Sequence, residues 1–292
     1  MIVRKRHRVL VQGMTGRQGT FWTERMQECG TTVTGGVNPA KGGSTHCGVP
    51  VFATMGEAVR EAGCDVAVLF VPPAGALAAA EAACAAGVPL LVVLTEHIPA
   101  QDVMRMHAAA RASGTRIVGP NTAGLVTPGE AFVGIMPAFN PRVFQPGDVG
   151  VISRSGSLGT LVCLDLVRAG FGQSAFIGIG GDPMLGTTTR DALEALDQDA
   201  GTAAVVLVGE IGGAMEEAAA EYAAGMAKPI VAFVAGAASP PDKKMGHAGA
   251  IVEGGRGGYA AKRAALEAAG IVVTETPNGI GQALAARRSG RQ

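Results

Sequence analysis

The feature that most constrains this chain is a set of short apolar runs that do not alternate. "RVLVQG" (Arg8 to Gly13), "DVAVLFV" (Asp65 to Val71), "VPLLVVLT" (Val88 to Thr95) and "TRIVG" (Thr115 to Gly119) are at most eight residues long and rich in Val, Leu and Ile. A strand with one wet face alternates apolar and polar residues, whereas a continuous run needs cover on both faces. Helix-forming stretches lie between the runs, near Gln18 to Cys29, Gly75 to Ala86 and Ala100 to Ser113. Each is followed by a glycine (Gly30, Gly87, Gly114) that suits a helix C-terminus. Strand, helix, strand in this rhythm predicts βαβ units and a mostly parallel sheet.

A Pro/Gly-punctuated segment, "TPGEAFVGIMPAFNPRVFQPGD" (Thr127 to Asp148), breaks the rhythm, and a second series follows. It runs "VGVISRSG", "SAFIGIGG", "AAVVLVGEIGG" and "KPIVAFVAG", with a last short strand near "GIVVTET" and a basic, frayed end, "RRSGRQ". The expectation is an α/β protein of two doubly wound domains, residues 1–125 and 147–292, joined by a linker over 126–146. A length of 292 residues, 48% apolar, is ample for two cores.

Charge and cysteines exclude several function classes. The 24 basic and 24 acidic residues cancel, so no global field draws in nucleic acid or a membrane surface. Five scattered cysteines, none in a C-x-x-C pair, argue against a disulfide framework and against a zinc site; no metal ligand set is predicted. The start "MIVRKRHRVLVQGMTG" is basic, but its apolar run is shorter than the roughly 7 to 15 residues of a secretory signal. No apolar stretch reaches the roughly 18 residues that span a bilayer. These features lead to the expectation of a soluble, cytoplasmic protein.

Four glycine-rich turns follow strands, where open α/β sheets bind ligands. The first, "GMTGRQGT" (Gly13 to Thr20), places Gly13, Gly16 and Gly19 between a strand and a helix, so helix-start N–H groups can approach a phosphate. A bare structural turn would use the same glycines. The spacing is G-x-x-G-x-x-G, and "TTVTGGVNP" ends its strand without the acidic residue that an NAD site uses. A phosphorylated nucleotide other than NAD is favoured, with Lys41 in "NPAKGGSTH" within reach of a phosphate. The second turn, "SRSGSLGT", presents Ser155, Gly156 and Ser157 at a helix start near Ser157, a place for an anion, although Ser157 alone reads as an N-cap. The third, "GEIGG", sets Glu210 at the end of a strand. The fourth, "KKMGHAGAIVEGGRGG", surrounds His247 with glycines that remove side-chain bulk and let a loop carry the ring to a large reacting group. A lone histidine is more often structural. Both Glu210 and His247 follow strands of the second series, so a carboxylate there could fix the tautomer of the ring and leave its other nitrogen nucleophilic.

The motifs "VQGMTGRQGTF", "GGVNPAKGGSTHCGVPVF", "TEHIPAQD", "GPNTAGLVTPGE", "SRSGSLG", "GIGGDP", "GEIGG" and "MGHAGAI" occur in one order from about Arg8 to Leu284. In this the chain resembles the α subunits of succinyl-CoA synthetase (succinate–CoA ligase), including those of malate–CoA ligase. The resemblance implies an N-terminal Rossmann-like domain that binds coenzyme A through Thr15, Gly16, Arg17, Gln18, Lys41, Leu94, Thr95 and Glu96. It also implies a C-terminal flavodoxin-like domain in which His247 is phosphorylated, Glu210 steadies it, and Ser155, Gly156 and Ser157 form half of a phosphate cradle. Asn121, Thr122 and Thr160 fall near the pocket for the acid. The implied partner is an ATP-grasp β subunit, in an αβ or α2β2 assembly, that binds ATP or GTP with Mg²⁺. This chain has no P-loop G-x-x-x-x-G-K-[ST] of its own.

The chain also departs from the family pattern. Thr122 and Ala123 stand where the family usually has Cys and Pro, and Thr160 and Leu161 where it has Tyr and Glu. These changes bear on the identity of the short dicarboxylate, with succinate first and malate next. Two readings of other classes stay open: an NAD-dependent oxidoreductase, against which the missing acidic residue counts, and a non-catalytic CoA-binding module. The latter would tolerate loss of His247 or Glu210, and both are present.

Overall fold

Continuous apolar runs become strands buried along their length. In the computed structural model, which describes residues 1–239, 246–252 and 257–290, every position of Val66–Leu69 and Leu90–Val93 is covered. The cover comes from helices, as a parallel sheet requires.

One compact unit comprises Val3–Phe139 and Met184–Thr187. Its elements are β1 (Arg8–Gln12), α1 (Arg17–Glu28), β2 (Thr32–Val37), β3 (Thr45–His46), β4 (Val49–Phe52), α2 (Met55–Ala62), β5 (Val66–Leu69), α3 (Pro73–Ala85), β6 (Leu90–Val93), α4 (Ala100–Ser113), β7 (Arg116–Val118), β8 (Gly124–Thr127) and β9 (Ala131–Gly134). The sheet runs β3-β4-β2-β1-β5-β6-β7, parallel except for the β3–β4 hairpin. Its core gathers Leu10, Leu69, Leu91, Val93, Met106 and Ile117, each worth about 1.5–3 kcal/mol of burial. Helix α3 is mostly alanine and packs closely through Ala76, Ala80, Ala83 and Cys84.

Several of these elements are not evident from the apolar runs. Strands β3 and β4 are too short to show a period. Helix α2 carries a start signal nonetheless: Thr54 precedes it with Glu57 three residues on, and the Glu57 N–H donates to Thr54 Oγ1 at 3.2 Å. Within the stretch between the two alternating series, Ala131–Gly134 pairs antiparallel with Gly124–Thr127. The Phe132 N–H donates to Thr31 Oγ1 (2.9 Å), whose hydroxyl donates to the Phe132 carbonyl (2.7 Å).

The other unit comprises Met1–Ile2, Asn140–Pro183 and Thr188–Gln292. It contains β10 (Pro146–Ser153), α5 (Gly156–Arg168), β11 (Gln173–Gly178), α6 (Thr189–Gln198), β12 (Ala204–Glu210), α7 (Met215–Ala223), β13 (Ile230–Ala235), α8 (Tyr259–Ala268), β14 (Val272–Thr274) and α9 (Ile280–Ser289). Five of its strands follow in the order β14-β13-β12-β10-β11, all parallel.

Within the described residues, the basic stretch from Arg287 to Ser289 is helical rather than frayed as expected. Arg287 and Arg288 lie in α9, where Arg288 pairs with Asp148 at 2.9 Å and Arg287 donates to the Gly270 carbonyl. The last two residues of "RRSGRQ" lie outside the described residues, as do Lys243, Lys244 and Met245 and the stretch 253–256 of the glycine-rich run. No helix among the described residues is long and apolar enough to cross a membrane.

Candidate functional site

In the second unit the chain leaves β10 through α5 to reach β11 on one side, then crosses through α6 to β12 on the other. That reversal opens a crevice at the C-terminal end of β10, where Ser153, Arg154 and Ser155 sit. Helix α5 starts at Gly156, and its N-cap is Ser155, not Ser157: the Leu158 N–H donates to Ser155 Oγ at 3.4 Å. Ser157 is already in the helix, with its hydroxyl 3.2 Å from that of Ser155. The Thr160 hydroxyl donates back to the Gly156 carbonyl at 2.9 Å, so it serves the helix.

Glu210 ends β12 and His247 arrives on the loop after β13, and the two meet: Nδ1 lies 2.7 Å from Glu210 Oε2. A carboxylate can only accept, so Nδ1 carries the proton, and Nε2 becomes the ring nitrogen suited to attack an electrophile. Ser155, Ser157, Leu158, Glu210 and His247 line one cavity of about 350 Å³. The start of α5 therefore faces the same space as the imidazole, and a dianion carried by the ring would meet helix N–H groups and two hydroxyls.

Glycine makes the approach possible. A Cβ on Gly181 would lie 2.5 Å from His247 Cγ, and one on Gly249 would lie 2.8 Å from Arg154 Nη2. The loop is pinned by the Gly249 N–H on the Gly181 carbonyl (3.0 Å) and the Ala250 N–H on the His247 carbonyl (3.1 Å).

Behind the ring lies a set of buried charges of which sequence reasoning singled out Glu210 alone. Arg154 is 3% exposed, Glu210 6%, and Glu216 and Lys262 0%. Arg154 Nη2 lies 3.2 Å from Glu210 Oε1, Arg154 Nη1 donates to the Gly212 carbonyl (3.0 Å), and Lys262 bonds Glu216, Glu217 and the Gly213 carbonyl. A signal was present. Glu216 shares the buried stripe of α7 with Ala219, Ala220 and Ala223, and Lys262 shares that of α8 with Leu266. A charge at the apolar phase of a helix needs a buried partner.

The imidazole has no competing thiolate among most of the cysteines. All five are free, and burial pushes the thiols of Cys29, Cys47, Cys64 and Cys163 up, Cys64 to about 12. Among the described residues no group of three or more His, Cys, Asp or Glu side chains is placed to hold a metal ion.

The first unit repeats the topology with different contents. From β1 the chain reaches β2 on one side and later β5 on the other, and Gly13 sits at the point of reversal with φ +80°. A Cβ there would run into the Phe70 carbonyl. A cavity of about 460 Å³ opens beside it, lined by Gln12, Gly13, Asn38, Thr54, Val71 and the small residues of α3. Gly16 caps α1 and Arg17 and Gln18 are its first residues, with Gln18 Oε1 accepting from the Trp22 indole N–H at 3.1 Å. Thr15 Oγ1 accepts from Asn38 Nδ2 (2.6 Å), which joins the first turn to the second. Lys41 is exposed at the end of a short 3-10 turn two residues after the cavity-lining Pro39. Leu94 and Thr95 are half-buried past the end of β6, with the Thr95 hydroxyl on the Val71 carbonyl (2.8 Å), while Glu96 is exposed. Asn121 has φ +54°, and the Gly124 N–H donates to the buried Thr122 Oγ1 at 2.9 Å. Asn121 and Thr122 belong to this unit and Thr160 to the other.

Comparison with known proteins identifies the family. A CoA binding domain matches residues 4–97 and a CoA-ligase domain residues 152–272. The chain is 47% identical over 285 residues to the succinate–CoA ligase (ADP-forming) subunit alpha 2 of Archaeoglobus fulgidus, covering 98% of each chain. It is 48% identical to the corresponding alpha subunit of Methanothermobacter thermautotrophicus, over 94% of this chain and 92% of that one. The fold matches that of ATP citrate lyase from Methanosaeta concilii, solved with (3S)-citryl-CoA, with a TM-score of 0.87 at 24% identity; 97% of this chain covers 49% of that longer one. Two parallel-dominated α/β units, a His–Glu pair at a helix start and these matches over nearly the whole length agree: the chain belongs to the family of ADP-forming succinate–CoA ligase α subunits.

Proposed function

We propose that the chain is the α subunit of an ADP-forming succinate–CoA ligase, in which His247 carries a phosphoryl group between nucleotide and acid. The observation that carries this reading is the 2.7 Å contact of His247 Nδ1 with Glu210 inside a cavity shared with the start of α5. The β subunit, of ATP-grasp type, holds the nucleotide and Mg²⁺.

In the first transfer, Nε2 attacks the γ-phosphorus of ATP and ADP leaves. Glu210 retains the Nδ1 proton's hydrogen bond and balances the positive charge that the ring acquires. Next, a succinate oxygen attacks the phosphorus and the histidine leaves, giving succinyl phosphate. Finally the thiolate of CoA attacks the acyl carbon and inorganic phosphate departs, giving succinyl-CoA. The first unit suits CoA: the cavity at its topological switch point is lined by small side chains, and the start of α1 offers N–H groups to a phosphate. Thr15, Gly16, Arg17, Gln18, Lys41, Leu94, Thr95 and Glu96 are the residues assigned to CoA. Ser155, Gly156 and Ser157 receive the phosphoryl group. The localisation proposed is cytoplasmic.

The test is ADP formation by the chain reconstituted with its β subunit, across a panel of short acids. Turnover should need CoA and favour succinate. If malate or a bulkier acid exceeds succinate by more than about tenfold, roughly 1.4 kcal/mol of transition-state discrimination, the succinate assignment fails.

A further inference from the structure

The proposed reaction leaves Arg154, Glu216 and Lys262 without a task, although the unit buries all of them. Arg154 stands between two carboxylates. Its Nη2 is 3.2 Å from Glu210 Oε1, and its Nη1 is 3.8 Å from Glu216 Oε1. The longer distance has a cause on the far side. Glu216 gives Oε2 to Lys262, and its Oε1 accepts the Glu210 N–H at 3.2 Å. Lys262 reaches Glu217 too, at 3.1 Å, and that carboxylate is partly exposed. The charges on the Glu210 carboxylate come from Arg154, just past β10, and the His247 loop, and behind Arg154 stand Glu216 of α7 and, through it, Lys262 of α8 and Glu217.

We propose that Lys262 is a positioning residue for the phosphoryl-carrying histidine: by neutralising Glu216 it reserves the Arg154 guanidinium for Glu210, whose second oxygen then fixes the His247 ring. The proposal rests on His247 as the phosphoryl carrier. In a low-dielectric interior a carboxylate that loses its cation draws the next nearest one. Without the Lys262 ammonium that cation is Arg154, and moving it toward Glu216 takes it from Glu210. The carboxylate then loses one of its two anchors and the ring its fixed tautomer.

Three variants of the chain, each assembled with the β subunit, decide the point, with labelling of His247 from γ-labelled ATP as the rate readout. Lys262→Met should slow labelling about tenfold or more with the KM for ATP nearly unchanged, because the loss falls on ring orientation. Glu216→Gln keeps a carbonyl for the Glu210 N–H and removes the charge that competes for Arg154, so labelling should stay within about threefold of the parent. The double variant, Lys262→Met with Glu216→Gln, should return to within about threefold as well. A purely structural lysine predicts the reverse, with the double as slow as the single. Overturning results are a folded Lys262→Met that labels at the parent rate, a Glu216→Gln that loses about tenfold, or a double variant that fails to recover. If Lys262→Met does not fold, the other two variants decide by the same criteria.

A second readout separates this inference from the functional reading. In the same complexes, ¹⁵N-histidine spectra report the His247 tautomer, with Nδ1–H dominant in the parent, lost in Lys262→Met and restored in the double variant. If the parent takes no label but the tautomer follows this order, the phosphoryl-carrier reading falls and the positioning role stands. A tautomer that does not respond to Lys262→Met overturns the positioning role.

Discussion

The two units solve the same topological problem with opposite chemistry. Each reverses direction at a central strand, β1 in one and β10 in the other, and each opens a crevice at that strand's C-terminal end. In the first unit the crevice is lined by uncharged residues, among them Gln12, Asn38, Thr54 and several glycines and alanines, with Gly13 in a left-handed conformation against the Phe70 carbonyl. In the second it is backed by Arg154, Glu210, Glu216 and Lys262, all nearly or fully buried. A neutral crevice with helix N–H groups suits reversible binding of a phosphorylated ligand. Buried, mutually held charges suit a group that must keep one tautomer through a covalent step. On the proposed function the difference divides the labour, with one crevice binding and the other reacting.

Substitutions that strike one crevice alone can break this contrast. His247→Asn should have the largest effect, lowering ligase turnover on the order of 10⁴-fold or more while CoA affinity by calorimetry changes less than about twofold. Glu210→Gln keeps the shape but loses the charge at Oε2, and turnover should fall on the order of 10²-fold in stopped-flow ADP release. Gly13→Ala acts on the other side. Its positive φ and the clash with Phe70 should destabilise the first unit by about 1–3 kcal/mol in denaturant titration and weaken CoA binding. The rate of His247 labelling should stay within about threefold. Ser155→Ala removes the cap of α5 and one hydroxyl of the phosphate cradle and should be the mildest, with about 1 kcal/mol of stability lost and labelling slowed less than by Glu210→Gln. If Gly13→Ala slowed labelling as much as Glu210→Gln, the division between the crevices would fail.

What the sequence reveals follows from range. Strands β1, β5 and β6 are readable because being buried on both faces writes a continuous run into a few neighbouring residues. Glu210 and His247 stand out because a carboxylate ending an apolar run and an imidazole among glycines are local anomalies. That they lie 2.7 Å apart is not local, since it depends on where β12 sits beside β13 and on a loop 37 residues further along. The order of strands is hidden too, because no residue states on which side of β10 a crossover returns. Ser155 and Ser157 are both plausible caps by composition, and only the backbone at Ser155, extended at φ −100° and ψ 125°, settles it. Lys262 reads as an ordinary helix lysine until its phase is compared with Leu266.

The most direct measurement of the central claim is to incubate the chain and its β subunit with γ-labelled ATP and map the label. The account expects an acid-labile, base-stable phosphoryl group on His247, chased from the protein by succinate and CoA together. A wild-type complex that binds CoA and ATP yet places no label on His247 would contradict it.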